Sequence, residues 1–264
     1  RYALVARSLV VCFHGTEEEL KETKNTQPCL FAMELAAATV LIEKGIAPDV
    51  VAGFSLGEVV AATVSGAFDS ETGFRLVCKR GELMQSEADR FDTSMAAVVK
   101  LTPERVQEVC NKYSEVYPVN FNCPGQITVS GISSQMTDFF ADVKAAGGRA
   151  IPLKVKGAFH SPFMKAAAES FAEELEKAET KERSITLYSN MTAEVYTDDV
   201  VGLLSKQICS PVQWEKIIRN MIADGVDAFI EIGPGKTLTN MIKKIDAEVK
   251  AVSVNDYLAE VDVC

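Results

Sequence analysis

Apolar residues along this chain recur with two different periods, and the alternation predicts the elements. Between Thr26 and Gly45 they fall at helical spacing through Leu35 and Leu41, with Thr26 and Pro28 as an opening and Gly45 and Pro48 as a stop. Residues 49–54 are a short apolar run of the kind buried on both faces of a parallel sheet. A tight turn and a helix over 56–66 follow, giving the helix–strand–helix rhythm of an α/β protein. From Ser94 the rhythm changes. Residues 95–99 read as a strand, Thr102-Pro103-Glu104 opens a helix, and 116–121 and 127–129 are two strands around Asn122-Cys123-Pro124-Gly125. A helix over 133–146 stops at Gly147-Gly148, and 150–155 is again a strand. The sum is β-α-β-β-α-β, the ferredoxin-like order, so 92–156 is expected to be an inserted α+β subdomain. The α/β pattern then resumes. Ser161-Pro162 caps a helix to about 177, 185–189 is a strand, and 211–223 is a helix. Residues 228–232 form a strand, Gly233-Pro234-Gly235 turns into another helix, and 250–254 closes as a strand. The expected fold class is α/β: a hydrolase-like core with a mainly parallel sheet, built from 1–91 and 157–264, carrying the ferredoxin-like insert.

Composition narrows the function. The 264 residues are 47% apolar and 24% charged, enough to bury a sizeable core. Twenty-seven Lys and Arg against thirty-seven Asp and Glu leave a net charge of −10 with no basic block, which argues against nucleic acid or an anionic membrane as partner. No apolar run reaches the ~18 residues of a membrane span. The opening Arg1-Tyr2-Ala3-Leu4-Val5-Ala6-Arg7 lacks the order of a signal peptide. Seven scattered Cys without a Cys-x-x-Cys pair, and only two His, argue against a zinc site or disulfide framework and point to the cytoplasm.

The candidate chemistry starts at Gly53-Phe54-Ser55-Leu56-Gly57, a Gly-x-Ser-x-Gly placed between a predicted strand and a predicted helix. That context strains and exposes a nucleophilic serine, and the N–H of Leu56 becomes half of an oxyanion hole; the plainer reading is a strand-to-helix turn with a capping serine. A serine nucleophile needs a base. His14, in a loop-like stretch before an acidic helix start, reads as an exposed loop residue. His160, in Gly157-Ala158-Phe159-His160-Ser161-Pro162, lies between a strand and a helix N-terminus, where the helix dipole is expected to keep it neutral; the alternative is a capping or core histidine. Arg80 shares a helix face with Leu76, Val77, Leu83 and Met84. A guanidinium there suits a substrate carboxylate, against the alternatives of a structural salt bridge or a snorkelling side chain. Gly233-Pro234-Gly235-Lys236-Thr237 lacks the earlier glycine of a Walker A loop, which is Ile230, so nucleotide binding is rejected there.

Together these residues resemble the malonyl-CoA:acyl carrier protein transacylase family and are similar to polyketide synthase acyltransferase domains. The matching motifs are Thr26-Gln27-Pro28, Gly53 through Glu58, Arg80-Gly81 with Met84-Gln85, and Asn122 through Gly131. Gly157 through Ser161, Gln207 with Pro211-Val212-Gln213-Trp214, and Glu231 through Lys236 complete them. The resemblance implies ping-pong malonyl transfer from malonyl-CoA to acyl carrier protein, in fatty-acid or polyketide synthesis. Ser55 is then nucleophile, His160 base, and Gln207 the residue orienting the histidine. Leu56 would serve the oxyanion, Arg80 the malonyl carboxylate, Asn122 the pocket, and Phe159 the exclusion of an α-methyl branch. It implies no metal, no cofactor beyond the phosphopantetheine carried by the partner, and a monomer. Carrier protein being acidic, Lys154, Lys156 and Lys165 are expected at a positive rim. Two departures stand out: Phe54 replaces the family's usual histidine, and the family's opening Gly-Gln-Gly-x-Gln loop, source of a second oxyanion N–H, is not in this sequence. The competing readings are a serine acyl hydrolase or esterase of similar fold, for which Arg80 would have no use, and an inactive remnant that binds carrier protein.

Overall fold

In the computed structural model, which describes residue 8 and residues 10–261, the apolar stripes close into three separate buried cores. The opening segment 1–7 and Cys264 lie outside the described residues. In chain order α1 (Glu17–Lys21) and α2 (Thr23–Glu43) lead to β1 (Val50–Val51), α3 (Leu56–Val64) and α4 (Ser70–Arg90). A second group follows: β2 (Thr93–Val99), α5 (Pro103–Cys110), β3 (Val116–Cys123), β4 (Gln126–Ile132), α6 (Ser133–Ala145) and β5 (Arg149–Lys156). The chain then passes a single 3₁₀ turn, Pro162–Met164, into α7 (Lys165–Glu176), β6 (Thr186–Leu187), α8 (Val200–Gln207) and α9 (Trp214–Ala223). It closes with β7 (Ala228–Glu231), α10 (Thr237–Ile245), β8 (Lys250–Ser253) and α11 (Val254–Val261).

The first core lies among α2, α3, α4, α7 and α8, around Phe31, Val59, Val77 and Phe171. The second belongs to residues 93–156 alone. There β3-β4-β2-β5 form one antiparallel sheet, and Val106 of α5 with Phe139 and Val143 of α6 cover Val98 and Val129. The third is centred on Trp214, Ile217, Phe229 and Ile242. A backbone seam ties the antiparallel sheet to the segment before α9: Phe121 N–H donates to Val212 O at 2.9 Å, and Val212 N–H to Val119 O at 2.9 Å.

Several boundaries differ from the sequence expectation. α2 starts at Thr23, so Pro28 sits inside the helix rather than in its first turn. The Thr26 hydroxyl, expected as a cap, instead donates back to Glu22 O at 3.0 Å. The helix expected from 211 begins at Trp214, because the peptide groups of Val212 are engaged with β3. The mainly parallel sheet is present as two separate parallel pairs, β1 with β6 and β7 with β8. β1 is only two residues long because the chain turns out toward Ser55 almost at once. α8 and α11 were not expected; the side chains of Asp199 and Ser253 cap their starts, accepting from Gly202 N–H and Asp256 N–H. Among the described residues no helix is long and apolar enough to cross a membrane.

Phe139 is fully buried in a core that serves residues 93–156 only. Phe139→Ala is expected to cost about 3–5 kcal/mol. Hydrogen exchange should then quicken across 93–156 before it does in α3 and α4.

Candidate active site

Ser55 sits where β1 gives way to α3, with φ 53° and ψ −105°, a strained conformation for a residue with a side chain. Two constraints hold it there. A Cβ on Gly53 would lie 1.9 Å from the backbone carbonyl of Gly57, so the turn closes only over a glycine. Gly57, by contrast, has nothing within 4 Å of where its Cβ would be. The second constraint is the side-chain amide of Asn190, just beyond β6. Its Oδ1 accepts from Ser55 N–H at 2.7 Å, and its Nδ2 donates to Gly53 O at 2.5 Å. Asn190 thus grips the chain on both sides of Phe54. The Leu56 N–H, at the start of α3, makes no hydrogen bond among the described residues and remains available to an oxyanion.

His160 follows β5 with φ 61°, its own N–H donating to Ile208 O at 3.1 Å. The ring is buried. Nδ1 lies 2.9 Å from Gln207 O, and a carbonyl only accepts, so Nδ1 carries the proton. Nε2 is then left as an acceptor, 2.7 Å from Ser55 Oγ. Burial first, and then the Arg80 charge, pull His160 down to about 4. The neutral state expected from the sequence is present, but its cause is not a helix dipole. The element after His160 is a single 3₁₀ turn, and the Ser161 hydroxyl already accepts from Phe163 N–H.

Gln207 meets His160 as expected from the sequence, and it does so through its peptide carbonyl, which accepts from Nδ1. The side chain works elsewhere: Nε2 donates to Ser55 O at 2.6 Å, and Oε1 accepts from Arg80 at 2.8 Å.

Arg80 is 1% exposed, on the apolar face of α4 with Leu76, Val77 and Met84. Its guanidinium donates to Gln27 Oε1 at 2.8 Å, to Gln207 Oε1 at 2.8 Å and to Ser55 Oγ at 3.3 Å, and its Nε has no partner. All these acceptors are neutral, and no carboxylate lies within 4 Å among the described residues. It neither snorkels to solvent nor forms a structural ion pair, and burial pulls it down to about 10. A desolvated cation whose hydrogen bonds all go to neutral acceptors suits an anionic ligand, and it lies beside the serine oxygen.

Behind the turn lies Glu58, fully buried in the first turn of α3. Its Oε1 accepts from Asn190 N–H at 2.8 Å and from the Tyr196 hydroxyl at 2.7 Å. Burial pushes it up to about 7, against these hydrogen bonds and the Arg80 charge.

The other expected residues are placed differently. Asn122 is buried and donates to Thr128 Oγ1 at 3.2 Å, with no hydrogen bond to the Ser55, His160 and Arg80 group. Phe159 is half-buried against the first core. Phe54, noted in the sequence as a departure, meets Trp214 edge-on at 5.6 Å against the third core. His14 is exposed. At the Gly233-Pro234-Gly235 turn, the Glu231 carboxylate accepts from Leu238 and Thr239 N–H at 3.0 and 2.8 Å, occupying the place where a phosphate would sit. Asn190 and Tyr196 carried no motif signal in the sequence. Gln27 and Glu58 lay inside matched strings without a role assigned to them.

Comparison with known proteins gives a consistent picture. Residues 9–260 match a family described as the acyl transferase domain. The malonyl CoA-acyl carrier protein transacylase of Bacillus subtilis is 39% identical over 252 residues, 92% of this chain and 79% of that protein. The crystal structure of a transacylase of the same name from Clostridium perfringens superposes with TM-score 0.92 at 35% identity, covering 99% of this chain and 88% of that one. A malonyl-transacylase solved in complex with a type II polyketide acyl-carrier protein gives TM-score 0.93 at 33% identity, covering 98% and 88%.

The two glycines of the turn should behave differently. Gly53→Ala forces a backbone overlap and is expected to cost about 3 kcal/mol or more. Gly57→Ala, in the first turn of a helix with open space, should stay within about 1 kcal/mol of the parent. Thermal unfolding of the two variants checks this.

Proposed function

The chain belongs to the acyl transferase domain family, and on that basis we propose that it moves a malonyl group from malonyl-CoA to the phosphopantetheine thiol of an acyl carrier protein. The observation that carries this reading is the Ser55 oxygen, 2.7 Å from a neutral imidazole and 3.3 Å from a buried guanidinium that has no carboxylate of its own. In the first half-reaction Ser55 Oγ bonds to the malonyl thioester carbon while His160 Nε2 takes its proton. The tetrahedral oxyanion is met by Leu56 N–H. Collapse breaks the carbon–sulfur bond, and His160 returns the proton to the departing CoA sulfur. In the second half the carrier-protein thiol gives its proton to His160 and attacks the malonyl ester, and Ser55 Oγ leaves with that proton. Arg80 grips the free malonyl carboxylate throughout, exchanging neutral acceptors for an anion. Gln207 orients His160 through its carbonyl, Phe159 limits room for an α-branch, and Asn122 is kept as a pocket residue on the resemblance alone.

This reading needs no metal or resident cofactor, because the thiol carrier belongs to the partner. Every group invoked comes from one chain, and a monomer is proposed. The free thiols of the six described cysteines suit the cytoplasm. We read residues 92–156 as a ferredoxin-like insert in a hydrolase-like core, supported by the order β3-β4-β2-β5. Lys154, Lys156 and Lys165 are exposed, with Lys156 shared with Asp89 and Lys165 near Glu169; they are our candidates for meeting an acidic partner.

Mixed with malonyl-CoA, the protein should show an intact-mass gain of one malonyl group, absent in Ser55→Ala. Fast release of malonate without carrier protein would instead mark a hydrolase. Arg80→Ala should lose about 10- to 100-fold of the preference for malonyl over acetyl groups, since hydrogen bonds to a charge contribute about 1.5–3 kcal/mol. Unchanged selectivity would remove Arg80 from its role. His160 accepts a proton only when neutral and is held at about 4. On the acid side, kcat/KM should therefore hold from pH 7 to about 5 and fall below that, where an ordinary histidine would already fail below about 6.5.

A further inference from the structure

Glu58 has no step in the transfer just described, yet it is the one anion whose field acts on Arg80. The two groups belong to one buried cluster, since Asn190, held by Glu58, grips the Ser55 turn and Arg80 donates to Ser55 Oγ, yet no hydrogen bond or ion pair joins them directly among the described residues. Glu58 Oε1 is saturated by Asn190 N–H and the Tyr196 hydroxyl, while Oε2 is buried with no hydrogen-bond partner. One oxygen of the carboxyl group is thus anchored and the other is left bare.

The groups facing Glu58 are few. Arg80 faces it from α4, the Gln207 side-chain amide from α8, and Asn190 and Tyr196 from the segment between β6 and α8, all of them favouring the ionised carboxylate against its burial. Further out, Arg183 lies 5.9 Å over the Tyr196 ring and His160 senses Arg80. A substrate carboxylate reaching Arg80 therefore sets two buried anions against one guanidinium, with no second cation to balance them. Like charges in a dry site cannot both stay ionised at little cost, and the one with an unpartnered oxygen is the easier to neutralise.

Resting on the malonyl-transfer reading, we propose that Glu58 is the counter-charge of Arg80 before substrate binds and takes up one proton from solvent when the acyl carboxylate binds there. Its unpartnered oxygen becomes the O–H, and the pocket keeps one anion throughout. Glu58 is a positioning residue in this scheme: it touches no reacting atom and acts through Arg80, and through Asn190 on the Ser55 turn. A neutral acyl group brings no second anion and draws no proton. Above about pH 7, where Glu58 is ionised, malonyl binding must therefore weaken with rising pH, while acetyl binding does not.

The test is calorimetry on Ser55→Ala, which binds without acylation, at pH 8 in phosphate and in Tris, whose ionisation heats differ. Malonyl-CoA is expected to take up close to one proton more than acetyl-CoA, which carries the same CoA phosphates. Adding Glu58→Gln should abolish the difference. Adding Tyr196→Phe, which removes one hydrogen bond to the ionised carboxylate and so raises the pH at which Glu58 ionises, should move the onset of weaker malonyl binding to higher pH and keeps the test independent of the Gln variant's folding. Equal uptake for both thioesters, or a difference that survives Glu58→Gln, overturns the proposal and leaves malonyl transfer standing. Failure of malonyl-CoA to bind at all overturns both.

Discussion

A guanidinium out of water is the constraint from which the rest of the site follows. Arg80 is buried in the apolar stripe of α4, and its desolvation is answered by amide oxygens rather than by an ion pair. Each neighbour is shaped by that choice. Gln27 and Gln207 supply neutral acceptors, and Ser55 Oγ takes a third donor. The same positive charge helps hold His160 unprotonated and Glu58 partly balanced. A direct carboxylate partner would have stabilised the arginine more simply and left nothing for a ligand to gain. The cost is borne by the structure around it, as is usual where strain and unmet polarity gather at a working site.

The nucleophile turn depends on a second economy. Asn190, 135 residues away in sequence from Ser55, holds the turn with a single side chain, and Glu58 holds Asn190. The local sequence therefore specifies the possibility of the strained turn, through Gly53, while residues from a distant segment fix it in place. This also separates the two glycines of the motif: one is required by sterics and the other is not.

That division explains what could be read before the structure was known. Features set by neighbours in the chain were legible: the elements of 93–156, the strand–serine–helix turn, and the anomaly of a charge at position 80. Features set by long-range contacts were not. The unforeseen α8 hid the fact that Gln207 ends a helix, and helix ends present free carbonyls, which is why its peptide oxygen rather than its amide reaches His160. Asn190 sits in a loop after a two-residue strand, where no periodicity singles out any residue. Ser161-Pro162 looked like a helix start and delivered only one 3₁₀ turn, so the dipole argument failed while burial reached the same protonation state.

The seam at Val212 carries a mechanical consequence. Both peptide groups of Val212 are pinned to β3, and Val212 lies only five residues beyond the carbonyl that aims His160. The antiparallel sheet is also tied directly to the imidazole through β5, which ends four residues before it. A tilt of that sheet would reach the base along two tethers at once. Gln207 would pass part of the same displacement to the carbonyl of Ser55, so hydroxyl and ring would have to travel together for the proton's path to keep its length.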